Sequence, residues 1–523
     1  MAGMKTYNVA LIEGIDYDSF WTEIETDGSG STYVPARSVD IINERPTSLR
    51  QCWYALTDAE ADKLRNDPRV YCVEIPPEQR TDLKIGHCSS QSGLYYKNAG
   101  TNLVNNLGIN WGLFRLNSAT NNTTSTSGTL AYDFPLDGTG VDFVLTDTGC
   151  QVDHPEFTDA HGVSRVQQID WFTASGVPGT MPDFATFYTD NDGHGTHCTG
   201  IAAGKTYGRA KNARIYVMTI DSLAASPTVG ISDTYAFDCI KGWHQNKPID
   251  PATGVKRPTV VNMSWTYYAI MSNIASVTYR GVTHSTSSLL SQYGMTNSYY
   301  CCPVSSIDVD IAELLAAGVV LVAAAGNYYQ TCDVPGGLDY NNFWSSIFGT
   351  YLPAYYYMRG GSPGSAPGVI TVGSVDTLYQ SGVLEQKKDY SNSGPRVDVY
   401  APGTNIVSTT SNTNVFGATT PYPFNGGYKI MSISGTSMAS PNVAGLVAQL
   451  LQVYPGATPA QIRQKVIDLS TSNALYTTGS STDYSVSNSL HGGPNRYAFQ
   501  PFNMASAGNS TGQVTITNAS INT

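Results

Sequence analysis

Gly435-Thr-Ser-Met-Ala-Ser-Pro441, running on through Asn-Val-Ala-Gly-Leu-Val-Ala-Gln-Leu-Leu to residue 451, is the stretch from which the fold is read. Pro441 suits the first turn of a helix, where its missing N–H costs little. Val443, Leu446, Val447, Leu450 and Leu451 then recur on one helical face. The pattern predicts a serine at or near the start of a buried helix. There the helix dipole and free N–H groups favour developing negative charge. Such a serine is a candidate nucleophile only when a base and an orienting group stand beside it. Taken alone, the stretch is more commonly an ordinary Ser/Thr helix start.

Outward from it, the chain from about Trp111 to about residue 470 alternates short apolar runs with helical patterns. Residues 141–146, 214–220, 259–263 and 319–324 have the length and apolar content of strands buried in a parallel sheet. Residues 307–317 supply a crossover helix. The alternation predicts an α/β fold, a doubly wound and mostly parallel sheet, over residues 108–500. Two segments within it, 267–306 and 328–366, are rich in Tyr, Ser, Gly and Asn and read as inserted surface loops.

A separate unit, residues 1–79, precedes this domain. Strand patterns at 7–12, 38–42, 51–56 and 69–75 enclose helical patterns at 17–24 and 58–65, with Asp16 and Thr57 as N-caps. The order βαββαβ is that of a small ferredoxin-like domain. Pro76-Pro77 ends it, and residues 80–107 form a polar linker, long for a compact protein. Residues 501–523 are a tail, with 513–517 as a candidate edge strand.

The 523 residues suffice for more than one domain, and 41% hydrophobic against 13% charged residues describes a globular chain. A formal charge of −12 argues against a nucleic-acid binder acting by phosphate neutralisation, and no basic run marks a membrane patch. The first residues hold no apolar run of signal-peptide length, and no stretch nears the ~20 apolar residues of a membrane span. The expected location is the cytoplasm or a larger particle such as a virion. Nine cysteines, at 52, 72, 88, 150, 198, 239, 301, 302 and 332, form no CxxC pair, so most read as reduced thiols and structural zinc is disfavoured. Loop composition accounts for the Asn-x-Ser/Thr sites at Asn121, Asn122 and Asn509.

Three further motifs carry chemistry. Val144-Leu-Thr-Asp147-Thr-Gly149 puts a carboxylate at the end of an apolar strand, where α/β sheets place functional groups; an Asx-turn aspartate is the equal alternative. Asp192-Gly-His194-Gly-Thr-His197-Cys198 puts two histidines at a Gly-flanked helix start. A zinc-protease helix needs them four apart with a Glu between, and neither condition holds. Ala323-Ala-Ala-Gly326-Asn327 ends a buried strand in an amide that can donate to an oxyanion, or that merely forms a turn.

In the chain order Asp, His, Asn, Ser these motifs resemble the subtilisin-like serine proteases, the subtilases, and among them the proteinase K branch. Asp147-Thr-Gly with His154-Pro-Glu-Phe157, Gly193 to Gly200, Thr206 to Lys211, Val260 to Ser264, Ala323 to Asn327 and Ser434 to Pro441 carry the resemblance. It spans about 108–500 outside the two insertions. It implies an endopeptidase with Ser437 as nucleophile, His194 as base and Asp147 orienting the imidazole. It also implies Asn327 in the oxyanion hole, a substrate strand at Ser264, Trp265 and Thr266, and Gly326 as a further substrate-binding residue. A second substrate strand falls within Ser226 to Ile231. His197 is then structural and Cys198 a buried thiol.

The first unit resembles the family's inhibitor-like propeptide, which assists folding and lays its C-terminal strand in the substrate cleft; an unrelated ferredoxin-like domain is the alternative. The implied partners are peptide and protein substrates and the chain's own propeptide, with a cut somewhere in 78–107. No cofactor is implied for the chemistry. The bacterial subtilisin calcium loop is missing, since Gly204-Lys-Thr-Tyr207 is short. A proteinase K-type calcium site is implied at Asp398 with the carbonyls of Pro367 and Val369, against a simple capped strand end. Thr266 stands where the family has Gly, so substrate preference does not transfer. The rival reading is a latent member serving as a structural part of a larger assembly, for example a phage particle.

Overall fold

The computed structural model describes residues 3–499 apart from 27–31, 46, 49, 81–82, 88–89, 92–109, 121–135, 225–228, 287–289, 296, 347–353, 381–383 and 478–487. The tail, most of the linker, the start of the segment from Ser226 and the three Asn-x-Ser/Thr sites lie outside the described residues.

The first unit comprises β1 (Met4–Leu11), α1 (Tyr17–Glu25), β2 (Ile41–Glu44), β3 (Gln51–Thr57), α2 (Asp58–Arg65) and β4 (Val70–Glu74). Asp16 accepts the Ser19 N–H to start α1, and Thr57 and Glu60 form a reciprocal capping box at α2. The strands pair antiparallel in the order β2-β3-β1-β4, the ferredoxin-like arrangement that the chain order predicts. Val9, Leu11, Phe20, Ile24, Tyr54 and Leu64 lie in its core.

Two short strands follow, β5 (Leu83–His87) and β6 (Ser90–Gln91), and both join sheets elsewhere. The remaining elements begin with α3 (Gly112–Arg115), β7 (Asp142–Asp147), α4 (Trp171–Ser175), α5 (Phe184–Phe187), α6 (His194–Ala203), β8 (Arg214–Thr219), α7 (Asp233–Asn246), β9 (Thr259–Met263) and β10 (Trp265–Ile270). Then come β11 (Ile274–Tyr279), β12 (Val282–Ser285), β13 (Tyr299–Cys301), α8 (Ser305–Ala316), β14 (Val320–Ala324), β15 (Phe343–Ser346), β16 (Tyr355–Tyr356), β17 (Ile370–Gln380) and β18 (Leu384–Lys387). Last are β19 (Val399–Pro402), β20 (Ile406–Thr410), β21 (Thr420–Pro421), β22 (Lys429–Ser434), α9 (Thr436–Val453) and α10 (Pro459–Leu469).

The central sheet runs β8-β7-β9-β14-β17-β19, every one of these pairs parallel. From β7 the chain passes through α6 to β8 on one side, then returns through α7 to β9 on the other. That reversal opens a crevice at the carboxyl end of β7, the place where such sheets hold functional groups. Helices α6 and α9 pack on each other and on the sheet, while α7 and α8 form another pair on which β1 and β4 lie. Among the described residues no helix is long and apolar enough to cross a membrane, and every described cysteine is a free thiol.

The first unit is joined to α7 and α8 by buried polar contacts. Arg45 lies between Asp238 at 3.0 Å and Asp310 at 2.7 Å, and the Gln51 amide donates to Asp310 at 3.0 Å. Burial pushes the Asp310 carboxyl up to about 8, against the opposing pull of Arg45 and with the help of the neighbouring Asp238 and Glu313 charges. Glu74 accepts the Ser306 N–H at 2.6 Å. It thereby caps α8, whose own N-cap position, Val304, offers no side-chain acceptor.

The two segments read as surface loops hold regular structure. Strands β11, β12, β15 and β16 form an antiparallel sheet in the order β12-β11-β15-β16, and β13 pairs with β10. Arg280 and Gly281, at φ 49 and 83, make the tight turn of the β11–β12 hairpin. Tyr- and Ser-rich composition hid the alternation of Ile274, Ser276 and Thr278 with Val277 and Tyr279. The buried Trp344 stacked on Tyr355 at 4.3 Å anchors this sheet.

Candidate active site

Asp147 ends β7 and His194 begins α6. Gly193, just before it, takes φ +97, and a Cβ there would meet Thr410 Oγ1 at 2.6 Å, so glycine is required. The buried Asp190 fixes this turn. Its Oδ1 accepts the Gly193 N–H at 2.9 Å, and its Oδ2 accepts the Thr196 N–H at 2.9 Å and hydroxyl at 2.6 Å. Thr148 Oγ1 accepts the Gly195 N–H at 2.9 Å, tying the start of α6 to the residue after Asp147. The outcome is a 2.7 Å hydrogen bond between His194 Nδ1 and Asp147 Oδ1, both side chains fully buried. With Nδ1 donating, the neutral ring carries its lone pair on Nε2. Burial alone pulls the His194 pKa down, but the Asp147 charge outweighs it and holds it well above the ordinary histidine value.

Ser437 is the second residue of α9, so Pro441 falls in the second turn and not, as the sequence suggested, in the first. This placement has a use. The Ser437 carbonyl would normally accept the N–H of residue 441, and proline has none. The carbonyl instead accepts the Ser264 hydroxyl at 2.8 Å and the Cys198 thiol at 3.5 Å. Ser264 Oγ in turn accepts from the Asn262 amide at 2.8 Å, and Ser440 Oγ donates to Asn262 Oδ1 at 2.8 Å. The Ser437 hydroxyl donates to the Ser264 carbonyl at 2.7 Å. Cys198 Sγ lies 3.9 and 4.0 Å from the two His194 ring nitrogens. Asp147, His194, Cys198 and Ser437 are thus one buried cluster. The sequence motifs did not show that Asn262, Ser440 and the Ser264 hydroxyl hold the helix that carries Ser437; Pro441 four residues after Ser437 was the available signal.

Asn327 Oδ1 accepts both the N–H of Thr436, at 3.0 Å, and its hydroxyl, at 2.8 Å. Gly326, at φ +104, gives its N–H to the same hydroxyl at 3.2 Å. With its oxygen committed to the residue before Ser437, the Asn327 amide has its N–H groups to act as donors. His197 donates to the Met431 carbonyl at 3.2 Å, and burial drives its pKa down to about 3, so it stays neutral.

Ser264 leads into β10. The Trp265 side chain turns into the core, its indole N–H on the Thr146 carbonyl at 3.0 Å, so only its backbone can serve a substrate. Strand β5 pairs antiparallel with β10, with His87 opposite Trp265, Gly86 opposite Thr266 and Ile85 opposite Tyr267. Strand β6 pairs with β22, with Ser90 opposite Ser434, three residues before Ser437.

The implied calcium set does not fit. Arg396 donates to Asp398 at 3.4 Å and to the Val369 carbonyl at 3.0 Å, and Arg463 Nε donates to Asp398 at 3.2 Å. Guanidinium groups supply the positive charge there, and a cation would have to displace them. Asp147, His194 and Cys198 bring a carboxylate, an imidazole and a thiol within 4.8 Å of one another. Burial pushes the Cys198 thiol up, which disfavours the thiolate a metal needs. This set suits proton transfer better than metal binding.

A model of the peptidase S8 subtilase family matches residues 138–491. A cuticle-degrading serine protease of Arthrobotrys oligospora is 27% identical over 396 residues, spanning 75% of this chain and 68% of that protein. A cuticle-degrading protease of Metarhizium anisopliae is 27% identical over 422 residues, 80% of this chain and 76% of that one. Among solved structures, fervidolysin from Fervidobacterium pennivorans, a keratinolytic enzyme related to subtilisin, overlays with a TM-score of 0.50 at 18% identity. The overlay covers 94% of this chain and 60% of that one, and the likeness is one of fold.

Proposed function

The chain belongs to the subtilase family of serine proteases, and we propose that it is an endopeptidase working through an acyl-enzyme on Ser437. The observation that carries the reading is the 2.7 Å bond from His194 to Asp147 in a buried cluster that also holds Ser437. His194 Nε2 takes the proton as Ser437 Oγ attacks the carbonyl, and Asp147 stabilises the imidazolium that results. The oxyanion is met by the Asn327 amide and the N–H of Ser437 at the start of α9. The imidazolium then gives its proton to the leaving amine, and water repeats the sequence to release the acid. Every step uses the chain's own groups.

The first unit acts in this reading as a propeptide of the kind found in the proteinase K branch, with the chain made as a zymogen. Support comes from β5 lying along β10 and β6 along β22, which brings the stretch after the first unit to both flanks of Ser437. A fluorophosphonate probe should label the protein and fail to label Ser437→Ala; equal labelling of the variant would refute the nucleophile. On a gel the full chain should shorten with time while Ser437→Ala stays whole. An intact, unlabelled wild-type chain would favour a latent component of an assembly.

A further inference from the structure

Resting on that reading, the geometry points to a protease that cuts after very small residues, because Thr266 and Cys301 fill the crevice meant for the side chain at the cleaved position. A substrate strand lying on β10 in the register of β5 reaches Trp265 one residue before cleavage, and its next residue comes opposite Ser264. The carbonyl of that residue belongs to Ser437 and the Asn327 amide. Its side chain is left the space between the backbone of Ser264–Thr266 and the turn at Gly326.

That space is closed. Cys301 is drawn in by the pairing of β13 with β10, which sets it opposite Tyr268, and it is fully buried. A Cβ placed on Gly326 would lie 3.0 Å from Cys301 Sγ and 2.5 Å from Asn392 Nδ2. The Asn392 amide holds the Cys301 sulfur at 3.3 Å and the Ala325 carbonyl at 2.8 Å, so neither wall is free to retreat. From the third side, Gly361 approaches so closely that a Cβ on it would meet Thr266 Oγ1 at 2.3 Å and Cys301 Cβ at 3.2 Å. Thr266 itself is fully buried. Interiors packed this closely do not take an added ring without moving rotamers and backbone. An aromatic or long aliphatic side chain has no volume to enter, whereas glycine, alanine or serine needs almost none.

The test uses the full chain, incubated without probe until withdrawn aliquots reach a plateau of fluorophosphonate labelling at Ser437, so that open sites are counted in the unlabelled remainder. Peptides of the form acetyl-Ile-Gly-His-X-p-nitroanilide, copying Ile85 to His87, are compared with X as Gly, Ala, Ser, Leu or Phe. Small X should exceed Phe in kcat/KM by ~10²-fold. Thr266→Gly should narrow that gap at least tenfold by raising Phe, and Cys301→Ala, which leaves β10 untouched, should act in the same direction. Leu or Phe as the best X, no cleavage of small-X peptides by a preparation whose parallel aliquot labels, or an unchanged gap in both variants would overturn the inference. Failure of labelling itself strikes the nucleophile assignment instead.

Discussion

Ser264→Ala tests how Ser437 is held. The hydroxyl makes two buried hydrogen bonds, to the Ser437 carbonyl and from the Asn262 amide, each at 2.8 Å. Each is worth ~1 kcal/mol net, and a buried carbonyl left without a good donor costs ~1–3 kcal/mol more. The Cys198 thiol at 3.5 Å is a weak substitute, and Pro441 has no N–H to offer. With the thiol offsetting part of this, the expected loss is ~2–4 kcal/mol, or about 2–4 °C in a chain of 523 residues. Pro441→Ala returns the missing helical donor. Its addition to Ser264→Ala should recover ~1 kcal/mol that it does not supply on its own, a coupling read from a double-mutant cycle. Calorimetric melts of the four proteins, all in the Ser437→Ala background to prevent self-digestion, measure it; that background keeps the carbonyl. If Ser264→Ala melts within ~1 °C of its parent, or the double variant is no better than the single, the reasoning is wrong.

Three further outcomes are expected. If His194 is the base, it must be neutral to accept a proton, and its pKa is held well above the ordinary ~6.5; kcat/KM should therefore fall as pH drops through a value above 6.5, and a flat profile down to pH 5 would exclude His194. Asn327→Asp keeps an acceptor for Thr436 but presents no N–H, so kcat should drop by ~10²–10³ with little change in KM; a loss below tenfold in kcat would remove Asn327 from the oxyanion hole. Arg396→Met strips the donor from the Val369 carbonyl and one partner from Asp398, and should cost ~3–5 kcal/mol in a thermal melt. Millimolar calcium should not restore it; full restoration would show a calcium-competent site.

The residues of the proposed triad were legible because each sits where local pattern ends: Asp147 closes an apolar strand, while His194 and Ser437 open helices beside glycine. The parallel strands were legible for the same reason, as apolar runs that only a sheet covered on both faces can bury. What the sequence hid is mostly set by distant partners. The arginines at Asp398 come from residues 396 and 463, and no local spacing announces that a guanidinium will stand where the family resemblance implied a cation. The β11–β12 hairpin was masked by polar composition, although the Arg280-Gly281 turn marked it. Pro441 sits one turn deeper than its local sequence suggests: the helix begins at Thr436, and only that start reveals which carbonyl the proline leaves vacant.

Helix α8 cannot finish its own first turn. The acceptor it needs, Glu74, stands 232 residues earlier in the chain. During synthesis the lender of that acceptor therefore emerges and closes its own core long before the borrower exists. A chain begun after the first unit would bring α8 out with its amides facing whatever solvent or neighbour lay nearby, while β14, the strand that follows, waits on it for register. The order of the two parts along the chain is thus also the order in which the acceptor and the helix it caps are made.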